Sequence, residues 1–186
     1  MRQGSQQIII SGLGGQGVLF ITRLLADAAL KMGRSILISE THGMAQRGGN
    51  VISHLKIGPE DGQGPASPLI RPGRADIILS LHPEAMQAHG HYLKTDGEAF
   101  CNNSDPHLAK EAKEAKVYTI DATGIAASLN SPLSANLVLL GFAAASGKLF
   151  CEPAQVESAL GGYGEGTRLD ASLRAFRAGQ KTKLGE

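Results

Sequence analysis

One short segment of the chain combines an imidazole, a guanidinium and a glycine pair. His42 opens the segment, Arg47 lies near its end, and Gly48 and Gly49 follow directly. A guanidinium offers a rigid fork of N–H donors that matches phosphate or carboxylate oxygens, and an imidazole can exchange a proton near neutral pH. We therefore predict that His42 and Arg47 support an active site. A structural ion pair for Arg47 and a hydrogen-bonded loop anchor for His42 are the simpler alternatives.

A second glycine segment has the spacing G-x-G-x-x-G and lies between a predicted strand and a predicted helix. Glycines allow a tight turn there, and the N–H groups at the start of the helix attract phosphate. A turn of this kind can equally serve only to pack the strand against the helix. The predicted cofactor-binding residues of the two segments are Gly12, Gly14, Gly15, Gln16, Gly17, Arg47, Gly48 and Gly49.

Glu40 follows the second predicted strand, where dinucleotide-binding domains place the acid that holds a ribose. The glycine-rich segment comes directly after it and would have to leave room for an adenosine. We therefore do not expect Glu40 to bind a ribose. A stand-alone oxidoreductase that binds NAD or FAD nevertheless stays open as an alternative.

The remaining residues that could carry chemistry favour structural roles. The two cysteines, Cys101 and Cys151, are too few to hold an iron–sulfur cluster, so we expect small buried side chains. His89 and His91 point in different directions on a helix, and we expect both at the surface. Asp121 follows a predicted strand and is expected to cap a helix. We predict no metal site in this chain.

Hydrophobic periodicity predicts one α/β domain spanning residues 1–186. Its expected architecture is a Rossmann-like three-layer sandwich, with a mainly parallel sheet and an added edge strand or hairpin. Residues 163–186 form a C-terminal amphipathic arm, for which packing on the same domain is favoured over docking on a partner. Predicted strands cover 7–11, 35–39, 51–57, 76–81, 98–102 and 117–120. Predicted helices cover 18–32, 107–115, 136–146, 153–160 and 167–179, and a further helix begins at Pro83.

The composition indicates a folded chain with no strong electrostatic preference for a partner. Hydrophobic residues make up 42% and charged residues 19%, and the net charge is +1. A balance this even gives no reason to expect binding to nucleic acid or to a membrane surface. The polar N-terminus does not resemble a signal peptide, and no apolar stretch approaches the roughly 20 residues of a membrane span. We expect a cytoplasmic protein.

Taken together, the two glycine segments resemble a known family. Gly12–Val18 followed by Glu40–Gly49 is similar to the γ subunit of 2-oxoacid:ferredoxin oxidoreductases, and most similar to the β-subunit type of indolepyruvate oxidoreductase. Further matching segments are Ser53-His54, Asn136–Gly141 and Ala175–Gly179. The resemblance extends over nearly the whole chain, and the paired segments in this order are more specific than the glycine loop alone.

The resemblance implies a subunit that is inactive alone and works inside a complex. Such complexes decarboxylate a 2-oxoacid with thiamine diphosphate and Mg, pass electrons through iron–sulfur clusters to ferredoxin, and transfer the acyl group to coenzyme A. The expected partners are the thiamine-binding and iron–sulfur subunits. The chain itself lacks both the thiamine diphosphate signature and a cluster-binding cysteine set.

Several points stay open at this level. His82 stands where indolepyruvate-type relatives often have an acidic residue, so pyruvate and 2-oxoglutarate remain alternative substrates. A purely structural assembly subunit is a further alternative for the chain. The isolated chain could self-associate as a homodimer through surface that its partners normally cover.

Overall fold

Each strand of the structure overlaps a strand that the hydrophobic pattern predicts. The structure, a computed structural model, describes residues 4–42, 49–60, 62, 64–104 and 116–183. The strands within these ranges are β1 (Gln6–Leu13), β2 (Ile36–His42), β3 (Asn50–Ile57), β4 (Ala75–Ser80), β5 (Leu93–Asn102) and β6 (Lys116–Ile120). The helices are α1 (Val18–Lys31), α2 (Pro83–His89), α3 (Ala122–Ser128), α4 (Ala135–Ala145), α5 (Pro153–Leu160) and α6 (Gly166–Lys181). The helix predicted over 107–115 lies outside the described residues.

The six strands form one sheet in the order β2-β3-β1-β4-β5-β6. Strands β1, β4, β5 and β6 are parallel, whereas β3 is antiparallel to both β1 and β2. The predicted mainly parallel sheet with an added hairpin is confirmed, with β2 and β3 as the hairpin. One feature departs from a simple strand–helix–strand unit, because β3 separates β1 from β2.

The sheet has helices on both faces. Ile8 and Ile10 face a core formed with α1, α3, α4, α5 and α6, and Ile9 faces a smaller core that includes Met86 of α2. All three isoleucines are fully buried, as expected for a strand covered on both sides. The connections from β1 and from β4 therefore leave the sheet toward opposite faces. This divergence opens a crevice at the carboxyl ends of the two strands, where open α/β sheets bind ligands.

The C-terminal helix α6 packs against α4 of its own domain. Phe176 is fully buried, and Leu169 and Leu173 pack against the same core. The expectation that the amphipathic arm packs on its own domain is confirmed. Along the described ranges, no helix is long and apolar enough to cross a membrane.

A buried histidine ties a proline-containing segment to the α2 face of the sheet. His54 of β3 is 3% exposed, and its Nδ1 accepts a hydrogen bond from the backbone N–H of Ile70 at 3.2 Å. The edge of its ring meets Tyr92, with 5.4 Å between centroids. His89 is half-buried and its Nδ1 is enclosed, so the expectation that it lies at the surface is wrong, whereas His91 is exposed.

We expect the free energy of unfolding to fall as the pH is lowered below neutrality. Burial lowers the pKa of His54, and the nearby His89 and Lys56 lower it further. The folded state therefore favours neutral His54, whereas the unfolded chain takes up a proton near pH ~6.5. The contribution of His54 to the free energy of unfolding is therefore fully present above that pH. It is lost as the pH falls from there to the pKa of His54 in the folded state, by at most about 1.4 kcal/mol per pH unit.

Denaturant unfolding at pH 7.5 and 5.5 measures this loss. His54→Gln keeps an acceptor for Ile70 without titrating, so its stability should depend less on pH than that of the parent chain. The exposed His91→Gln serves as the matched control. Equal pH dependence in the parent and His54→Gln chains would contradict this account of His54.

Candidate functional site

The carboxyl-end rim of the sheet, defined by the described residues at the carboxyl ends of β1, β2, β4, β5 and β6, includes the first glycine segment and the described ends of the second, His42 and Gly49. Because β3 is antiparallel, its first residue, Asn50, also lies there and pairs with Leu13. The backbone N–H of Gly14 donates to the carbonyl of Gly49 at 3.0 Å. Gly49, the described end of the second glycine segment, is thus held beside the first segment.

The structure describes only parts of the second glycine segment. His42 ends β2, where its backbone pairs with Val51, and Gly49 lies beside Gly14. Arg47 and Gly48 lie outside the described residues, as does the side chain of His42. The two described ends of the segment belong to the carboxyl-end rim.

The first glycine segment forms a closed loop ahead of α1. Leu13 N–H donates to Gln16 Oε1 at 2.7 Å, and Gln16 N–H donates to the carbonyl of Leu13 at 3.1 Å. Gly15 and Gly17 have φ values of 93° and 87°, a region that favours glycine. The N–H groups of Gly14 and Gln16 are thus engaged within the protein, which leaves fewer backbone donors for a phosphate than the motif alone suggests.

A crevice of about 220 Å³ lies beside this loop at the carboxyl-end rim. It is lined by Gly15, Gln16, Leu81, Asn102, Thr123, Pro132, Leu133, Ala135 and Asn136. These residues follow β1 and β4, end β5, and come from the first turn of α3, the turn at Pro132–Leu133 and the start of α4. None of the described side chains that line the crevice is charged, so these residues can stabilise a charge only through neutral dipoles.

Asn102 holds the crevice together and is fully occupied in doing so. Its Nδ2 donates to the carbonyl of Leu81 at 3.2 Å and to Thr123 Oγ1 at 2.9 Å. Its Oδ1 accepts from the backbone N–H groups of Ala122 and Thr123 at 3.0 and 3.3 Å. An amide can make four hydrogen bonds of this kind, and here all four are made. Asn102 therefore joins β4, β5 and α3 rather than offering groups to a ligand.

The groups left over in the crevice are mainly donors. The Gly15 N–H and the Gln16 Nε2 amide make no hydrogen bond to a described residue. The Thr123 hydroxyl accepts from Asn102 and keeps its own proton to donate. Such a lining suits an acceptor-rich group, for example the oxygens of a phosphate or a carboxylate.

The placement of Glu40 differs from that of a dinucleotide-binding acid. In those domains the acidic strand lies next to the glycine strand, whereas here β3 lies between β1 and β2. Glu40, which pairs with Ser53, is therefore two strand spacings from β1, or about 10 Å. The carboxylate does not stand where a ribose ligand of the neighbouring strand would, as expected from the sequence.

Asp121 and the cysteines have the structural roles predicted for them. Asp121 Oδ1 accepts from the backbone N–H of Gly124 at 2.8 Å and caps α3. Both cysteines are buried, and burial raises the pKa of Cys101 to about 11 and that of Cys151 to about 12. Thiols in this state are poor ligands and poor nucleophiles. Within the described ranges, no group of three or more His, Cys, Asp or Glu side chains could hold a metal ion.

Several residues of the crevice are not predicted from the sequence. Asn102, Thr123 and Leu133 were not assigned a role, and Asn136 entered only through its segment's resemblance. A single amide or hydroxyl has no recognisable motif, and these residues come together only through the order of the strands. Leu133 in the turn at Pro132–Leu133 is 92% exposed, but this exposure is visible only in the structure. The sequence contains no signal that marks this turn as part of the crevice.

A family model and several known proteins are similar to this chain in sequence. The family model for pyruvate ferredoxin/flavodoxin oxidoreductase matches residues 7–182. The indolepyruvate oxidoreductase subunit IorB of Thermococcus kodakarensis is 30% identical, over 94% of each chain. IorB of Methanothermobacter thermautotrophicus is 31% identical, over 92% of this chain and 94% of that one.

A solved structure extends the likeness to the fold. The pyruvate oxidoreductase subunit PORC of Thermotoga maritima superimposes with a TM-score of 0.78 at 22% identity, covering 96% of both chains. At this identity the likeness concerns the fold alone. The two chains thus share the same overall fold.

Proposed function

Because this chain belongs to the pyruvate ferredoxin/flavodoxin oxidoreductase family, a family of multi-subunit oxidoreductases, we propose that it is the γ-type subunit that supports thiamine-dependent oxidative decarboxylation of a 2-oxoacid to an acyl-CoA. In this role it helps to hold an anionic group whose other contacts come from a partner subunit. The hydrogen bond between Gly14 and Gly49 is the observation that carries the proposal, since it joins both glycine segments at one rim.

The residues of this chain do not fit the redox and metal groups of such a complex. The two buried thiols are too few and too weakly acidic for an iron–sulfur cluster. Among the described side chains no carboxylate group is arranged for the Mg of thiamine diphosphate. The proposal therefore assigns thiamine diphosphate, Mg and the clusters to partner subunits.

The donors at the crevice support an anion-binding role for the rim. Gly15 and Gln16 supply neutral donors, and Arg47 belongs to the segment that connects His42 to Gly49. Neutral dipoles can position oxygen atoms, and a guanidinium adds the compensating charge. The phosphates of coenzyme A or of thiamine diphosphate, or the substrate carboxylate, would suit this set of groups.

Co-expression with a thiamine-binding subunit tests the proposal. We expect the two chains to purify together and to reduce a viologen acceptor when given a 2-oxoacid and coenzyme A. The isolated chain should show no such activity. Turnover by the isolated chain would contradict the proposal, and tight one-to-one binding of NAD or FAD in calorimetry would instead support the stand-alone oxidoreductase.

Leu133 provides a test of the partner surface. Its side chain is 92% exposed on the turn that borders the crevice, so replacing it removes almost no buried area within the chain. Leu133→Asp should leave the melting temperature of the isolated chain unchanged. If a partner covers the rim, the buried carboxylate should weaken co-purification about tenfold or more.

The matched control for this surface is Leu69→Asp, since Leu69 is also exposed, at 52%, but belongs to the segment before β4 rather than to the crevice. Undiminished co-purification of Leu133→Asp, or an equal loss in both variants, would contradict a partner surface at the crevice.

The finer assignments follow from the same relatives. Similarity to IorB favours an arylpyruvate such as indolepyruvate as the 2-oxoacid. We propose ferredoxin as the electron acceptor, one of the two acceptors that the family's description names. We place the complex in the cytoplasm, where ferredoxin-linked enzymes find their acceptor. The whole chain is treated as one γ-type domain, which could form a homodimer when its partners are absent.

A further inference from the structure

Asn136 connects the start of α4 to the glycine loop. Its Nδ2 donates to the carbonyl of Gln16 at 3.2 Å, across 120 positions of sequence. Its Oδ1 accepts from the N–H of Leu137 at 2.7 Å, which fixes the orientation of the amide. One side chain thus joins a helix of the core to the loop that borders the crevice.

The loop depends on few contacts from outside. Its internal bonds connect Leu13 with Gln16, and its ends continue into β1, where Leu13 pairs with Asn50, and into α1, where Gly17 accepts from Ile21. Between these ends, Gly14 bonds to Gly49 and Gln16 bonds to Asn136. The Asn136 bond acts on Gln16 itself, next to the Gly15 N–H, which makes no hydrogen bond to a described residue. A substitution of Asn136 would therefore first alter the conformation of Gly15 and Gln16, whose remaining donors make no hydrogen bond to a described residue.

Gly17 shows how tightly Asn136 is placed against the loop. A Cβ atom added to Gly17 would lie 2.2 Å from Asn136 Nδ2, closer than any real contact of this kind. Gly17 also has a φ of 87°. The absence of a side chain at position 17 therefore serves two needs, the left-handed backbone and the space that Asn136 occupies.

We propose that Asn136 is a positioning residue that holds Gly15 and Gln16 in the conformation in which their donors meet the ligand of the crevice. The proposal rests on the proposed function, since it concerns the same rim. Donors held in place by the protein bind more tightly than donors that must first be ordered. Asn136 itself keeps one N–H that makes no hydrogen bond to a described residue.

Hydrogen exchange measures the positioning directly and needs no ligand. In Asn136→Ala and Asn136→Asp, the backbone amides of residues 13–17 should exchange about fivefold faster or more, because the bond to the Gln16 carbonyl is lost. Asp keeps the acceptor for Leu137 but cannot donate to Gln16. Ser134→Ala is the control, since Ser134 also lies at the start of α4 but bonds to Ser131.

The assembled complex supplies the functional readout. With coenzyme A and the 2-oxoacid as probes, both Asn136 variants should raise the KM of at least one by about fivefold, with a smaller change in kcat. Faster exchange with both KM values unchanged would reduce Asn136 to a structural role and overturn the proposal. Unchanged exchange would overturn it as well.

A double substitution separates this proposal from the proposed function. Gly17→Ala should lower the melting temperature, and the loss should be smaller in the Asn136→Ala background, where the clash is relieved and only backbone strain remains. Equal losses in both backgrounds would show that Asn136 does not constrain the loop. If coupling is found but the complex never forms, the positioning contact stands and the proposed function fails.

Discussion

The Gly141→Ala variant is expected to be less stable than the parent chain by about 3 kcal/mol or more. A Cβ atom at position 141 would lie 1.9 Å from the carbonyl oxygen of Phe176, and one at Gly179 would lie 1.9 Å from that of Val138. Both obstructing atoms belong to backbone, so no change of side-chain rotamer can relieve the clash. The two glycines let α4 and α6 cross at close range, and either substitution must push the helices apart.

The sign of this effect distinguishes packing from helix propensity. At an exposed position inside a helix, glycine to alanine stabilises by about 1 kcal/mol, whereas here both substitutions should destabilise. For a chain of this size the loss corresponds to about 6–12 °C in Tm, measured by thermal unfolding. Gly164→Ala is the control, because its Cβ would meet atoms at 3.6 Å, an ordinary contact. A gain of stability in Gly141→Ala would contradict the close crossing.

The second large effect is expected in turnover. In the assembled complex, Arg47→Ala should lower kcat/KM for the 2-oxoacid by about tenfold to a hundredfold, as expected when a hydrogen bond from a charged donor is lost. Assembly and melting temperature should stay near those of the parent complex. The physical reason is that the described lining of the crevice is uncharged, and Arg47 is the cation of the segment whose described end, Gly49, bonds to Gly14.

Two comparisons make the Arg47 result specific. Arg174→Ala removes a guanidinium from the exposed side of α6 and should leave turnover unchanged. Arg47→Lys keeps the charge but not the planar fork and should recover only part of the activity. If assembled Arg47→Ala turns over as fast as the parent complex, the rim serves subunit packing alone, and the purely structural subunit becomes the better account.

The sequence pattern predicts the core elements because each signal is local. Ile8-Ile9-Ile10 before a glycine turn indicates a buried strand, and the apolar run over 136–146 indicates a buried helix. Where local signals are weak the prediction falls short. The sequence does not predict the start of β5 at Leu93, because Lys94-Thr95-Asp96-Gly97 is polar. It predicts Asp121 as the cap of a helix but not the bounds of α3, because Gly124 interrupts a short run of small residues.

The position of β3 could not be read from its residues. The residues from Val51 to Ile57 predict a strand, but they do not predict which strands lie beside it, since that depends on the topology of the whole sheet. The placement of β3 between β1 and β2 has two consequences for the candidate site. It moves Glu40 away from the glycine loop, and it brings Gly49 next to Gly14.

Some residues of the candidate site lie in recognisable sequence motifs, and others do not. The glycine segments carry motifs and were found, whereas the amides of Asn102 and Asn136 act through partners that are distant in sequence. No spacing rule connects Asn136 with Gln16. Contacts of this kind are set by the packing of whole elements, and a single sequence contains no pattern that marks them.

The central claim is that the carboxyl-end rim of this chain borders a partner subunit and an anionic group. Electron cryo-microscopy of the assembled complex with coenzyme A and a 2-oxoacid measures this most directly. We expect Gly15 and Gln16 to lie within about 4 Å of a partner chain or of a bound cofactor or substrate. A map in which the crevice and both glycine segments face open solvent, with the partner on another surface, would contradict the claim.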